Sequence, residues 1–393
     1  MPSTAHYLVV GAITALVTAA STPLVIRLAV RMNWVVQPDA RRVHTVTTPD
    51  VGGLALFLGV AAGLLSARAL DWFDPLFARM SELSGVLLGA LVMFLVGFID
   101  DIREISPPAK VVGTVVAGAV LVNFGVTMFY FRVPFQDVWL LGAEWVPLFT
   151  VLWLLGMTQA INLIDGLDGL AAGIVAIGSV AFFLYARHVG DLGLLAEPNL
   201  GPLVAIVTAG SCVGFLPFNF HRAKVFMGDG GALLLGLMLA VCTSVVGGRA
   251  TPSGPQAGGQ TYFFLAPLFI PLFILGVPVL DTLFAIVRRA SKGTGVATAD
   301  KGHFHHRLME MGHGQRRSVL ILWGWTALLS GFVLVPVLAQ RAITYFPIGV
   351  AMVALALFTV FHPQIRRDRR AGLHAVPRAA DSIRQLNDTD RAG

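Results

Sequence analysis

Five carboxylates, three histidines and several glycines interrupt an otherwise apolar chain. Asp100 and Asp101 are adjacent. Asn162, Asp165 and Asp168 recur every third residue in Asn162-Leu-Ile-Asp165-Gly-Leu-Asp168-Gly169. Asp229 lies inside Met227-Gly-Asp-Gly-Gly231, and His303, His305 and His306 precede Arg307. Adjacent acids suit Mg2+, which takes one or two carboxylates and completes its shell with phosphate oxygens and water. Asp100-Asp101 end an apolar segment, where a helix C-terminus already carries partial negative charge, so a cation is expected close by. Lys110 opens the next segment and can meet a phosphate there; taken alone it is an ordinary membrane-flanking lysine.

The spacing of three puts Asn162, Asp165 and Asp168 on one face of a helical turn. Gly166 and Gly169 permit a ligand to approach the backbone closely. The structural alternative is a helix break, with Asp168 as N-cap of the following helix. Glycine-flanked amides around Asp229 at a helix start favour an anion, and its carboxylate would bring a metal to the same place. The three histidines can ligate zinc. Arg288, Arg289, Lys292, Lys301 and Arg307 surround them, however, and basic neighbours favour pyrophosphate over a second cation. Asp281, about two turns before Arg288, either serves the site or supports it.

The elements that must position these residues are membrane helices. Of 393 residues, 56% are hydrophobic and only 13% charged, about half the charge of a soluble domain, and the mean hydropathy is +0.76. Eleven segments are long enough to span a bilayer: 6–31, 51–70, 83–99, 109–129, 146–163, 169–186, 200–218, 231–247, 262–287, 318–339 and 343–361. The fold class is therefore an all-α polytopic membrane protein. One integral membrane domain covers 1–361, and 362–393 form a basic, disordered tail. Tyr130–Trp145 can add a small outer β-hairpin. Only Arg68, Arg79, Arg132, Arg187, Arg249 and Arg341, of 28 Lys and Arg, fall on one side of the alternating loops. The positive-inside rule then puts the N-terminus outside, the C-terminus in the cytoplasm and every polar motif at the cytoplasmic face. Cys212 and Cys242 fall in apolar segments and read as free thiols. The net charge of +6 reflects this loop bias, and no aromatic-basic stripe points to nucleic acid.

In this order, the motifs resemble the polyprenyl-phosphate N-acetylhexosamine-1-phosphate transferases, from about His44 to Trp323. The resemblance rests on His44…Pro49…Gly52-Gly53, Asp100-Asp101 with Lys110, Asn162-x-x-Asp165-Gly-x-Asp168-Gly169, Phe226-Met-Gly-Asp229, and Asp300-Lys-Gly-His303-Phe-His305-His306-Arg307. The last run is similar to the WecA/TagO-like branch, which transfers GlcNAc-1-phosphate. The related MraY branch transfers phospho-MurNAc-pentapeptide and has three consecutive histidines. Gln159, Ala232, Arg222 and Asp50 depart from residues frequent in the family; Asp50 stands where an Arg is common.

The resemblance implies transfer of N-acetylhexosamine-1-phosphate from a UDP-N-acetylhexosamine to undecaprenyl phosphate in the bacterial inner membrane, releasing UMP, with Mg2+ or Mn2+. It implies Asp229 and Asp101 as metal ligands, and Asp100, Asp101 and Asp229 as catalytic. It also implies substrate contacts from Lys110, Asn162, Asp165, Asp168, Asn219, His303, His305, His306 and Arg307, and is compatible with a homodimer. A phosphate monoester is largely dianionic near neutral pH (second pKa about 6). One-step attack is therefore expected, and a covalent adduct on Asp100 or Asp101 would overturn it. Two other readings have sequence support. Asp165-Gly-Leu-Asp168-Gly169-Leu-Ala171 matches the start of the CDP-alcohol phosphotransferase motif, but Ala172 replaces its Arg. A cation-coupled transporter would need acids near the bilayer midplane, whereas these cluster at one surface.

Overall fold

The computed structural model describes residues 2–37, 47–78, 80–128, 130–132, 138–140, 142–193, 195, 198–247, 314–339 and 345–361. Among them are ten α-helices: α1 (Thr4–Arg31), α2 (Gly53–Ala69), α3 (Met80–Arg103), α4 (Pro107–Asn123), α5 (Val146–Ile164), α6 (Leu170–Asp191), α7 (Gly201–Asn219), α8 (Gly228–Gly247), α9 (Gly314–Ala339) and α10 (Tyr345–Phe361). Ten of the eleven expected segments are thus helical, and the other, 262–287, lies outside the described residues.

Seven of these helices are long and apolar enough to cross a membrane. An eighth span results if α2 is counted with the 3-10 helix Asp71–Ala78, from which it is bent by 98°. The apolar stretch from 109 overestimates α4. Its helix stops at Asn123, before Gly125 at φ +84°, a conformation that glycine adopts without strain. Conversely, α3 runs past its apolar stretch to Arg103, so Asp100 and Asp101 lie in its last turn, at the helix end where they were expected.

Two small antiparallel ribbons complete the described chain. β1 (Val35–Val36) pairs with β2 (Thr48–Pro49), joining the chain after α1 to the approach to α2. β3 (Tyr130–Arg132) pairs with β4 (Val138–Leu140), with Phe131 opposite Trp139, which is the expected hairpin.

The centre of the bundle is α8. It is apolar on every face from Ala232 through Cys242, and a helix of that kind belongs inside. It packs against α2, α3, α5, α6 and α7, and its side chains from Ala232 to Cys242 are buried. Small residues let the other helices close in. On α2, a methyl group added at Gly63 or Gly59 would strike Thr14 or Thr18 of α1. On α7, one added at Gly210 or Gly214 would strike the Gly11 or Ala15 carbonyl. The buried threonine hydroxyls need no distant partner, because each donates to a carbonyl one turn back: Thr14 to Val10 at 2.8 Å and Thr18 to Thr14 at 2.9 Å. Cys212 and Cys242 are buried free thiols.

Candidate active site

The expected polar residues on α3, α4, α5, α7 and α8 meet at one end of the bundle. Asp229 stands in the first turn of α8, directly after Gly228 at φ +67°. The approach to α2 supports this turn from one side. Gly52 N–H donates to the Phe226 carbonyl at 3.0 Å, Gly53 N–H to that of Met227 at 2.8 Å, and Phe226 N–H to that of Pro49 at 2.8 Å. From the other side, Gly97 of α3 lies so close that an added methyl would overlap the backbone of Asp229 and Gly230.

The Gly52-Gly53 pair therefore has a steric reason. A methyl at Gly53 would overlap the backbone of Gly230 and Gly231. We expect Gly53→Ala to cost about 1–3 kcal/mol, typical of overpacking, seen as a lower melting temperature together with weakened activity. An unchanged melting temperature would contradict the packing.

Four side chains form the centre of the site. The Lys110 ammonium, at the N-terminal end of α4, lies between two carboxylates. It is 2.7 Å from Asp100 Oδ2 and also paired with Asp229 Oδ2. The other Asp100 oxygen accepts from Ile105 N–H at 2.8 Å, which ties that carboxylate to the backbone just after α3. Asn162, in the last turn of α5, approaches Asp229 Oδ2 with its amide nitrogen at 3.5 Å. These groups are only partly buried, the Lys110 side chain being 19% exposed, so a ligand from water can reach them.

The remaining expected residues divide differently. Asp101 turns both carboxylate oxygens onto α8: Oδ1 accepts from Asp229 N–H at 2.6 Å and Oδ2 from Gly230 N–H at 3.0 Å. Its carboxylate caps a helix, where metal ligation was expected. Asn162, Asp165 and Asp168 do not share a helix face, because α5 ends at Ile164 and Asp165 leaves the helix at ψ 53°. Nor does Asp168 cap α6; Gly169, at φ +76°, occupies that position. Asp168 instead accepts from Ala223 N–H at 3.1 Å and lies 3.9 Å from His221 Nδ1, tying this turn to the loop after α7. Asn219 is buried, with its amide oxygen accepting from Gly169 N–H at 3.1 Å and its amide nitrogen donating to the Val225 carbonyl at 3.0 Å. Its hydrogen bonds are thus structural. His303, His305, His306, Arg307, His44 and Asp281 lie outside the described residues.

Asp165 is electrostatically unusual. Burial pushes its carboxyl up to about 8, with further upward contributions from Asp50, Asp229 and Asp168. That shift favours the neutral carboxyl in the metal-free site, and a neutral carboxyl can donate a hydrogen bond. Asp50, noted above as a departure, is therefore near enough to add negative charge to the site. Only the adjacent Gly52-Gly53 pair hinted in the sequence that this segment reaches the Asp229 turn.

The donor set fits a hard divalent cation. Asp229 and Asp100 offer carboxylate oxygens and Asn162 a carboxamide. No group of three His, Cys, Asp or Glu able to hold a metal occurs among the described residues. Mg2+ does not require one, since substrate phosphates and water complete its shell. Beside the site, a cleft of about 500 Å3 opens between β1 and the end of α3, lined by Val35, Val36, Gln37, Ile102, Arg103 and Glu104 with Asp101.

Comparison with known proteins decides the family. Residues 83–247 match the model of glycosyl transferase family 4. The chain is 35% identical over 365 residues to the decaprenyl-phosphate N-acetylglucosaminephosphotransferase of Mycolicibacterium smegmatis, covering 91% of this chain and 88% of that protein. The chain belongs to glycosyl transferase family 4. A second family member, the probable undecaprenyl-phosphate N-acetylglucosaminyl 1-phosphate transferase of Bacillus subtilis, is 36% identical, with 86% and 84% of the two chains covered. More distant is the phospho-N-acetylmuramoyl-pentapeptide-transferase of Desulforudis audaxviator, at 30% identity over 80% and 93%. The segment matching the family model spans Asp100, Asp101, Lys110, Asn162 and Asp229, the residues that the fold brings to one end of the bundle.

Proposed function

We propose that this chain transfers GlcNAc-1-phosphate from UDP-GlcNAc to a polyprenyl phosphate, undecaprenyl phosphate in the first instance, and releases UMP. The observation that carries this reading is the Asp100–Lys110–Asp229 bridge at one end of the helix bundle, in a chain more similar to GlcNAc-phosphate transferases than to a pentapeptide transferase. The charge bias of the loops supports a multi-pass inner-membrane enzyme with this face in the cytoplasm, where nucleotide sugars are dissolved. Such a reaction would begin assembly of a cell-envelope glycan, such as a lipopolysaccharide or teichoic acid.

In this reaction an oxygen of the acceptor phosphate attacks the sugar-bearing phosphorus of the donor. The bond from that phosphorus to the bridging oxygen breaks, and UMP carries the bridging oxygen away. Two anions must approach each other, so charge neutralisation is the main demand on the protein. Lys110 supplies one positive charge and orients Asp100 and Asp229. Asp229, with Asp100 opposite it, would hold Mg2+ or Mn2+, which supplies further positive charge to the phosphates. Asn162 and Asp165 provide hydrogen bonds on the donor side. The acceptor is already ionised near neutral pH, so Asp100 needs only to orient it.

The test is UMP release by purified protein with Mg2+, undecaprenyl or decaprenyl phosphate, and a panel of UDP-sugars. UMP formed from UDP-GlcNAc only when lipid and metal are present is the expected result. UMP from UDP-GalNAc alone would correct the donor. No UMP from any pair, beside an active control enzyme, would overturn the reading.

A further inference from the structure

Asp101 stands one residue from Asp100, yet the two carboxylates face different tasks. Asp100 shares Lys110 with Asp229. Asp101 has both oxygens on the backbone N–H groups of Asp229 and Gly230. The first N–H groups of a helix lack intrahelical acceptors. The sequence at α8 supplies no local replacement, since Met227 and Gly228 precede Asp229 and neither side chain can accept a hydrogen bond as Ser, Thr, Asn or Asp would. Acceptor oxygens are also favoured at this end of the helix dipole. The cap comes from another helix, 128 residues earlier in the chain.

The fit is close on every side. A methyl at Gly228 would lie 2.5 Å from Asp101 Oδ2 and 2.6 Å from the Asp50 carbonyl; one at Gly230 would lie 3.2 Å from Asp101 Oδ2. The glycines flanking Asp229 thus make room for the Asp101 carboxylate. We propose that Asp101 is a positioning residue, which caps α8 and thereby fixes where the Asp229 carboxylate stands relative to Lys110 and Asn162.

The proposal rests on the transferase reading only for its activity measurement; the backbone measurement stands whatever the reaction. Amide hydrogen exchange of the full-length protein in detergent, followed on peptides spanning 225–235, compares wild type with Asp101→Ala, Asp101→Asn and Asp100→Asn. Loss of both hydrogen bonds in Asp101→Ala is expected to speed exchange at the start of α8 by about tenfold or more. Asp101→Asn, which retains one acceptor, falls between Asp101→Ala and wild type, and Asp100→Asn leaves that peptide unchanged.

In UMP release, Asn at position 101 is expected to retain about tenfold more activity than Ala, because a cap can be partly replaced. Unchanged exchange at α8 in both Asp101 variants, with Asn as inactive as Ala, would overturn the proposal and make Asp101 a direct ligand or base. Should Asp101→Ala fail to fold, Asp101→Asn decides alone. Faster α8 exchange with residual activity supports capping, and wild-type exchange with activity lost refutes it. If no substrate pair yields UMP even with wild type, the transferase reading fails while the exchange comparison still decides the cap.

Discussion

Asp229→Asn is expected to lower kcat for UMP release by about a thousandfold or more, the scale on which loss of a central electrostatic group acts. The substitution keeps the shape of the side chain and leaves the backbone N–H that Asp101 holds, so α8 should still begin at Gly228. It removes the carboxylate that Lys110 pairs with and that Asn162 approaches. The accompanying measurement is Mn2+ binding in the absence of lipid, which should weaken markedly. Near-normal turnover, or loss of turnover with unchanged Mn2+ binding, would remove Asp229 from the role assigned to it.

Lys110→Met carries the second largest expected effect. It deletes the cation between Asp100 and Asp229 and leaves two carboxylates facing each other. Turnover should fall by about a hundredfold, the lower range for removing one charge-stabilising group. Without metal the protein should also be destabilised, because the three side chains are only 14–25% exposed and loss of the ammonium leaves two largely buried carboxylates uncompensated. The effect should depend on metal: chelation lowers the melting temperature of Lys110→Met more than that of wild type, and added Mg2+ restores it. A variant with normal turnover would show that the lysine serves only membrane orientation, and one insensitive to chelator would separate Lys110 from the metal.

Apolar length and charge bias were enough to expect a helical membrane protein, because a bilayer admits few other backbone arrangements. Helix ends were less legible. Apolar runs stop where charge begins, but the backbone of α3 continues through Asp100 and Asp101 to Arg103. The 98° bend after α2 was likewise invisible in hydropathy. The spacing of Asn162, Asp165 and Asp168 suggested one helix face. The turn at Asp165 breaks that periodicity, and only the loop after α7 reveals what Asp168 holds.

The sequence by itself determined which residue types could do the chemistry, and order and spacing identified their family. It could not assign a task to each acid. Asp100 and Asp101 are indistinguishable as neighbours in a motif. In a helix, however, adjacent side chains point about 100° apart, so one faces Lys110 and the other the start of α8. Likewise, Gly52-Gly53 and Asp50 acquire meaning only when their segment lies against the Asp229 turn. Local sequence specifies donors and acceptors, whereas which donor meets which acceptor depends on helix packing across more than a hundred residues of chain.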